Sequence, residues 1–91
     1  MLTLVKYGFN NAAEMLKMEW LEKKDILVLI QNGVFWAVSP KIDELIEEGV
    51  EVFAIEDDFL ARGYKKEDTK VNLISYEDFV DLIEKSKKIV T

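Results

Sequence analysis

The stretch Asp25-Ile26-Leu27-Val28-Leu29-Ile30-Gln31-Asn32-Gly33 decides the fold class. Ile26 to Ile30 is an unbroken aliphatic run of strand length, and because it does not alternate with polar residues, the strand must be covered on both faces. Such a strand belongs at the centre of a parallel sheet with helices above and below. Gln31-Asn32-Gly33 ends it with turn-forming residues. The run is also far shorter than the roughly 20 apolar residues that cross a bilayer, and no signal-peptide pattern opens the chain. A cytoplasmic protein with no membrane partner is expected.

On the N-terminal side, Leu2 to Val5 is β-prone, and Asn11 stands three residues before Glu14, a capping spacing for a helix reaching about Glu22. Ala13, Leu16 and Trp20 share one face of that helix, which is read as its core face, with an interface anchor the other reading of Trp20. On the other side, Val34-Phe35-Trp36-Ala37-Val38 precedes Ser39-Pro40, where Ser can cap and Pro can take the first helical position. The helix that follows runs to about Glu48, carries Ile42, Leu45 and Ile46, and is stopped by Gly49.

Val50 to Ile55 is a third strand. Glu56-Asp57-Asp58 turns the chain into a short helix, Phe59 to Arg62, that ends at Gly63, with its acidic residues well placed against the N-terminal dipole. Tyr64 to Lys70 is a polar loop, and Val71 to Ile74 a fourth strand. Ser75 and Asp78 have capping-box spacing and launch a helix with Tyr76, Phe79, Val80 and Ile83 on one side. The segment Lys85 to Lys88 closes it with basic residues. Strand–helix–strand connections of this length are right-handed crossovers between parallel strands. The expected architecture is therefore a single three-layer α/β/α domain spanning residues 1–91, with a mainly parallel sheet of about four strands.

Composition narrows the chemistry. The chain has 91 residues, no Cys and no His. A thiolate nucleophile, a persulfide carrier, a disulfide and a thiolate zinc site all need Cys, and imidazole acid/base catalysis or metal ligation needs His. No enzyme activity, catalytic residue, metal site or cofactor is expected. The formal net charge of −6 opposes a phosphate backbone, so direct nucleic-acid binding is not expected. A chain this small buries only about two-thirds of its unfolded surface, so oligomerisation would help stabilise it.

Ligands of open parallel sheets bind beyond the carboxyl ends of the strands, which singles out Lys6 to Asn11, Gln31 to Trp36, Glu56 to Asp58, and Ser75-Tyr76. Within these, Gln31, Asn32, Gly33, Phe35, Trp36, Glu56, Asp57 and Asp58 are the candidates for a partner surface or pocket. Gln31-Asn32-Gly33 can offer amides to a ligand, with Gly33 allowing close backbone approach, or can be a plain strand-to-helix turn. Phe35 and Trp36 suit either a core or an interface anchor. Glu56-Asp57-Asp58 has the oxygen ligands a hard cation needs, yet adjacent side chains cannot all reach one ion, and capping explains them more simply. The glycines are dispersed, so no phosphate-binding loop is present.

Three segments taken together carry a family resemblance. Leu27-Val28-Leu29-Ile30-Gln31-Asn32-Gly33-Val34, then Val52-Phe53-Ala54-Ile55-Glu56-Asp57-Asp58-Phe59-Leu60-Ala61-Arg62-Gly63, then Val71-Asn72-Leu73-Ile74-Ser75-Tyr76-Glu77-Asp78-Phe79-Val80-Asp81-Leu82 resemble the DsrH/TusB family. The resemblance implies a DsrE/F/H-like α/β domain in a sulfur relay. It implies assembly with a DsrE/TusD-like and a DsrF/TusC-like chain, and transfer of persulfide sulfur toward 2-thiouridine at the tRNA wobble position or, in the Dsr version, in dissimilatory sulfur oxidation. The transferring cysteine of that family belongs mainly to the DsrE/TusD-type partner, although some members have one in the first helix. The corresponding helix here has none, so the implied role is that of a non-catalytic subunit. A stand-alone homodimeric binding or scaffold protein is the alternative compatible with the same residues.

Overall fold

The run Ile26 to Ile30 is the middle of the sheet. The computed structural model describes residues 1–91, and strand β2, Ile26–Leu29, lies third in a five-stranded sheet. Around it stand β1 (Leu2–Val5), β3 (Glu51–Ile55), β4 (Asn72–Ile74) and β5 (Ile89–Val90), in the spatial order β4-β3-β2-β1-β5. Every pairing is parallel; Leu2 to Val5 stand beside Ile26 to Leu29, and these stand beside Glu51 to Ala54. The sheet thus has one strand more than the sequence suggested. β5 is two residues long and follows a lysine-rich segment, too short for any periodicity to announce it.

The connections explain the layers. From β1 to β4 the chain steps across the sheet in one direction, through α1 (Ala12–Glu19), a 3₁₀ segment (Gln31–Val38) with α2 (Pro40–Glu47), and α3 (Glu56–Ala61). Right-handed crossovers put all of these on one face. Their side chains Met18, Val34, Trp36, Ala37, Ile42, Leu45 and Phe59 pack there against Val5, Leu27, Leu29, Val52 and Ala54. To reach β5, on the far side of β1, the chain must reverse, and the same handedness sends α4 (Tyr76–Lys85) over the opposite face. Phe79 and Leu82 of α4 cover Leu2, Leu4, Val28, Ile30 and Ile55. Leu27, Val28 and Leu29 are fully buried, two facing one layer and one the other, as an unbroken aliphatic run requires.

Several local expectations are met. Ser75 Oγ accepts the Asp78 amide and the Asp78 carboxylate accepts the Ser75 amide, a capping box. Gly49 closes α2 at φ 99°, in the left-handed region.

Others are corrected. α1 ends at Glu19, and α3 starts at Glu56 instead of Phe59, because the acidic residues form its first turn. Ser39 occupies the N-cap of α2, but its buried hydroxyl makes no hydrogen bond there. Residues 31–38 coil into a long 3₁₀ segment rather than a simple turn. On α4, Phe79 and Leu82 face the sheet while Val80 and Tyr76 are exposed, so the buried stripe is rotated from the one expected.

The largest correction concerns α1. Its expected core face points outward: Leu16 is 53% exposed and Trp20 77%. The face turned to the sheet carries Met18 and Glu14, the latter only 1% exposed. Glu14 is drawn inward because its Oε2 accepts the amides of Lys6 (2.6 Å) and Tyr7 (3.0 Å) just beyond β1, while Lys17 Nζ pairs with Oε1 and donates to the Leu4 carbonyl (3.0 Å). Both stripes have helical spacing, and the orphaned amides beyond β1 decide between them.

Candidate functional site

The carboxyl edge of the sheet is organised around Asp58. Its Oδ2 accepts the backbone amide of Gln31 at 2.8 Å, and the Tyr76 hydroxyl donates to Oδ1 and Oδ2 at 2.9 and 2.8 Å. Arg62, one turn on at the C-cap of α3, donates from Nη1 to the Asp58 carbonyl (2.9 Å) and from Nε to Asn32 Oδ1 (3.0 Å). One carboxylate thereby ties together the ends of β2, β3 and β4. Gln31 needs the tie, since its φ of 51° is left-handed and costs a non-glycine residue about 1–3 kcal/mol.

Two neighbours of Gln31 are fixed by packing. A side chain at Gly33 would place its Cβ 1.9 Å from the Val5 carbonyl oxygen, so only glycine lets the 3₁₀ segment rest on the end of β1. Trp36 is buried; its indole nitrogen donates to the Tyr7 carbonyl (3.0 Å), and its ring meets Phe9 edge-on at 4.8 Å between centroids. It positions the loop after β1. Phe35 is half-buried, with the Arg62 guanidinium 6.0 Å above its ring. Between Tyr7, Phe9, Asn10, Asn11, Asn32 and Phe35 lies an open recess of about 430 Å³.

The acidic triplet diverges. Glu56 pairs with Lys66 at 3.0 Å, Asp57 is exposed, and Asp58 turns toward Gln31 and Tyr76. The structure brings Gln31, Asn32, Asp58 and, through Asn32, Phe35 into one surface, leaves Glu56 and Asp57 at its margin, and places Gly33 and Trp36 beneath it.

Electrostatics set two groups apart. The Asp58 carboxylate accepting its hydroxyl bond raises the Tyr76 phenol above the ordinary tyrosine value; slight burial and the charge of Asp57 add to this, and Arg62 opposes it. For Glu14, burial pushes the carboxyl up, but the hydrogen bonds from Lys17 and the Tyr7 and Lys6 amides together outweigh it and hold the group below the usual glutamate value.

Arg62 and Glu14 were not among the sequence candidates. Asp58 and Arg62 have the four-residue spacing of a helical pair, a signal the sequence does carry. Glu14 reads as an ordinary capping residue, and nothing in the sequence marks it as buried.

Residues 9–89 match the family model described as DsrH like protein. The chain belongs to the DsrH-like family. Among its relatives, Protein TusB of Buchnera aphidicola is 33% identical over 76 residues, 80% of each chain, and Protein TusB of Pectobacterium carotovorum is 37% identical over 65 residues, 68% of each. Two solution structures of Tm0979 from Thermotoga maritima, one describing it as a candidate sulfur transferase, superpose on this DsrH-like chain with TM-scores of 0.74 and 0.72. They share 49% and 48% identity with it, covering 97% and 98% of this chain and 97% of theirs. A match to Patellin-1 of Arabidopsis thaliana, 41% identical over 56 residues, spans only 10% of that protein, so its activity has no bearing here. The DsrH-like chain has no cysteine on any of its elements, and no helix long and apolar enough to cross a membrane.

Proposed function

We propose that this chain is a non-catalytic subunit of a sulfur-relay assembly of the DsrEFH or TusBCD kind, with the persulfide carried by a cysteine of a partner chain. The observation that carries the reading is family membership across residues 9–89 in a chain without cysteine. Persulfide transfer proceeds by thiolate attack on sulfur, so every covalent step must take place on another chain. What this subunit can contribute is a shaped and charged surface. The Asp58–Gln31–Tyr76–Arg62 network is hydrogen-bonded, with Gln31 and Tyr76 exposed and Asp58 and Arg62 half-buried, and it and the open aromatic recess lie where open parallel sheets bind their ligands. Gln31, Asn32, Phe35 and Asp58 form the face offered to the partner, with Glu56 and Asp57 at its rim. The TusB relatives favour the branch that ends at 2-thiolation of the tRNA wobble uridine. The net charge of −6 keeps the tRNA contact with other members of the assembly.

Native mass spectrometry of the tagged protein isolated from its own cells tests this. Recovery with small paralogous chains, one bearing a reactive cysteine, is the expected result, with Asp58→Ala weakening that recovery at least several-fold. Recovery of the chain only with itself would overturn the relay reading in favour of a stand-alone scaffold.

A further inference from the structure

We infer that the recess beyond β1 is a docking site for a proline-rich segment of a partner chain, held in the extended polyproline conformation. The recess, of about 430 Å³, lies between the loop that follows β1 and the side chains of Asn32 and Phe35 on the 3₁₀ segment. Its walls are aromatic and already in place. Tyr7 is 55% exposed and Phe9 50%, yet neither stands on a loose loop, because the Trp36 indole donates to the Tyr7 carbonyl at 3.0 Å and meets the Phe9 ring edge-on. Rings supported from beneath and left uncovered cost little further ordering when a ligand arrives.

The hydrogen-bonding groups around the recess are unbalanced in favour of donors. Asn11 Oδ1 accepts the Glu14 amide at 3.1 Å and Asn32 Oδ1 accepts Arg62 Nε at 3.0 Å, so both carboxamides are fixed with only their NH₂ groups unspent. In the loop, the successive amides of Gly8, Phe9 and Asn10 have no acceptor within the chain, whereas the carbonyls of Tyr7, Gly8 and Asn11 are already engaged by Trp36, Asn11 and Met15. A ligand that satisfies this surface brings acceptors and few donors of its own.

Charge narrows the class further. No residue lining the recess is charged, in a chain of which 33% of residues are. The nearby Arg62 guanidinium is occupied by the Asp58 carbonyl, Asn32 and the face of Phe35, so an anion finds no free cation among the lining groups. The acceptors required are therefore neutral carbonyls. Proline-rich backbone meets each condition: its residues carry a carbonyl but no N–H, their rings are apolar and stack on aromatic faces, and the extended helix is preformed with its carbonyls unpaired. An ordinary peptide would bring an amide donor for every carbonyl.

This site shares Asn32 and Phe35 with the partner face proposed above and rests on that reading of the edge as a contact surface, though not on the chemistry the partner performs. NMR titration of the isotope-labelled chain with a blocked oligoproline peptide tests it, with a glycine–serine peptide of equal length as control. Oligoproline is expected to bind in the submillimolar to millimolar range and to shift the amides of Gly8, Phe9 and Asn10 and the side-chain NH₂ signals of Asn11 and Asn32, and the control to shift none of them. Tyr7→Ala and Phe9→Ala should each weaken binding at least several-fold with unchanged circular dichroism. Gly8→Leu should block it, since a Cβ there makes only ordinary contact with Phe35 (3.6 Å) and the Asn32 carbonyl (3.7 Å) and the rest of the side chain enters the recess. No shifts at millimolar oligoproline, an equal response to the control, or binding that Tyr7→Ala and Phe9→Ala both leave intact would overturn the proposal. Any of these would leave recovery with cysteine-bearing paralogues unaffected, and recovery of the chain only with itself would leave the titration unaffected.

Discussion

The Tyr76 hydroxyl donates to the Asp58 carboxylate at 2.8–2.9 Å, joining the start of α4 to the first turn of α3 across the carboxyl edge of the sheet. This bond locks the two elements that enclose the candidate surface, and it marks Tyr76 as a reporter of that surface's integrity.

Asp58→Asn removes the charge that raises the phenol and should lower the Tyr76 ionisation toward the ordinary tyrosine value. NMR titration of the Tyr76 ring at alkaline pH checks this, and an unchanged midpoint would count against the bond. Asp58→Ala should also destabilise the fold by about 1–2 kcal/mol, since the Gln31 amide and the Tyr76 hydroxyl both lose a charged acceptor.

Acid stability should depend on Glu14. Its folded-state ionisation lies below the unfolded value, so its contribution is fully present above the ordinary glutamate range and is lost as pH falls through the depressed folded value. Glu14→Ala leaves Lys17 unpaired and the Lys6 and Tyr7 amides without acceptors, at an expected cost of about 3 kcal/mol at neutral pH. In urea melts the variant should match the wild type more closely at low pH than at neutral pH. An equal gap at both would contradict the assignment.

Gly33→Ala and Gly63→Ala should differ sharply. At Gly33 the new Cβ meets the Val5 carbonyl at 1.9 Å, and backbone must move, at an expected cost above about 4 kcal/mol. At Gly63 no atom lies within 4 Å, and only the left-handed φ of 89° opposes alanine, at about 1 kcal/mol. Thermal melts of the two variants suffice to compare them.

Leu29→Ala, in fully buried β2, should cost about 2–5 kcal/mol in denaturant melts. A loss under about 1 kcal/mol would be incompatible with a central strand covered on both faces.

The parts of this structure that were legible in advance rest on local rules. The unbroken run Ile26 to Ile30 identifies the central strand, Ser75 and Asp78 the start of α4, Gly49 the end of α2, and the strand ends the surface on which Gln31, Asn32 and Asp58 meet. The parts that were not legible depend on tertiary partners. α1 carries two stripes at helical spacing, and only the unsatisfied amides of Lys6 and Tyr7 select the one containing Glu14. Trp20 is exposed for the same reason, against the usual tendency of large apolar residues. Residues 31–38 coil into 3₁₀ with Gly33 resting on the end of β1, a contact distant in sequence. β5 exists only because α4 returns the chain to the far side of β1.

The central claim is that this chain takes part in sulfur transfer without ever carrying the sulfur. The most direct test is to isolate its assembly from cells, load it with a persulfide donor, and measure the intact mass of every chain under denaturing conditions. The account predicts a gain of one or more sulfur atoms on a cysteine-bearing partner and none on this chain. A covalent sulfur adduct on this chain, or an assembly containing no cysteine-bearing partner, would contradict it.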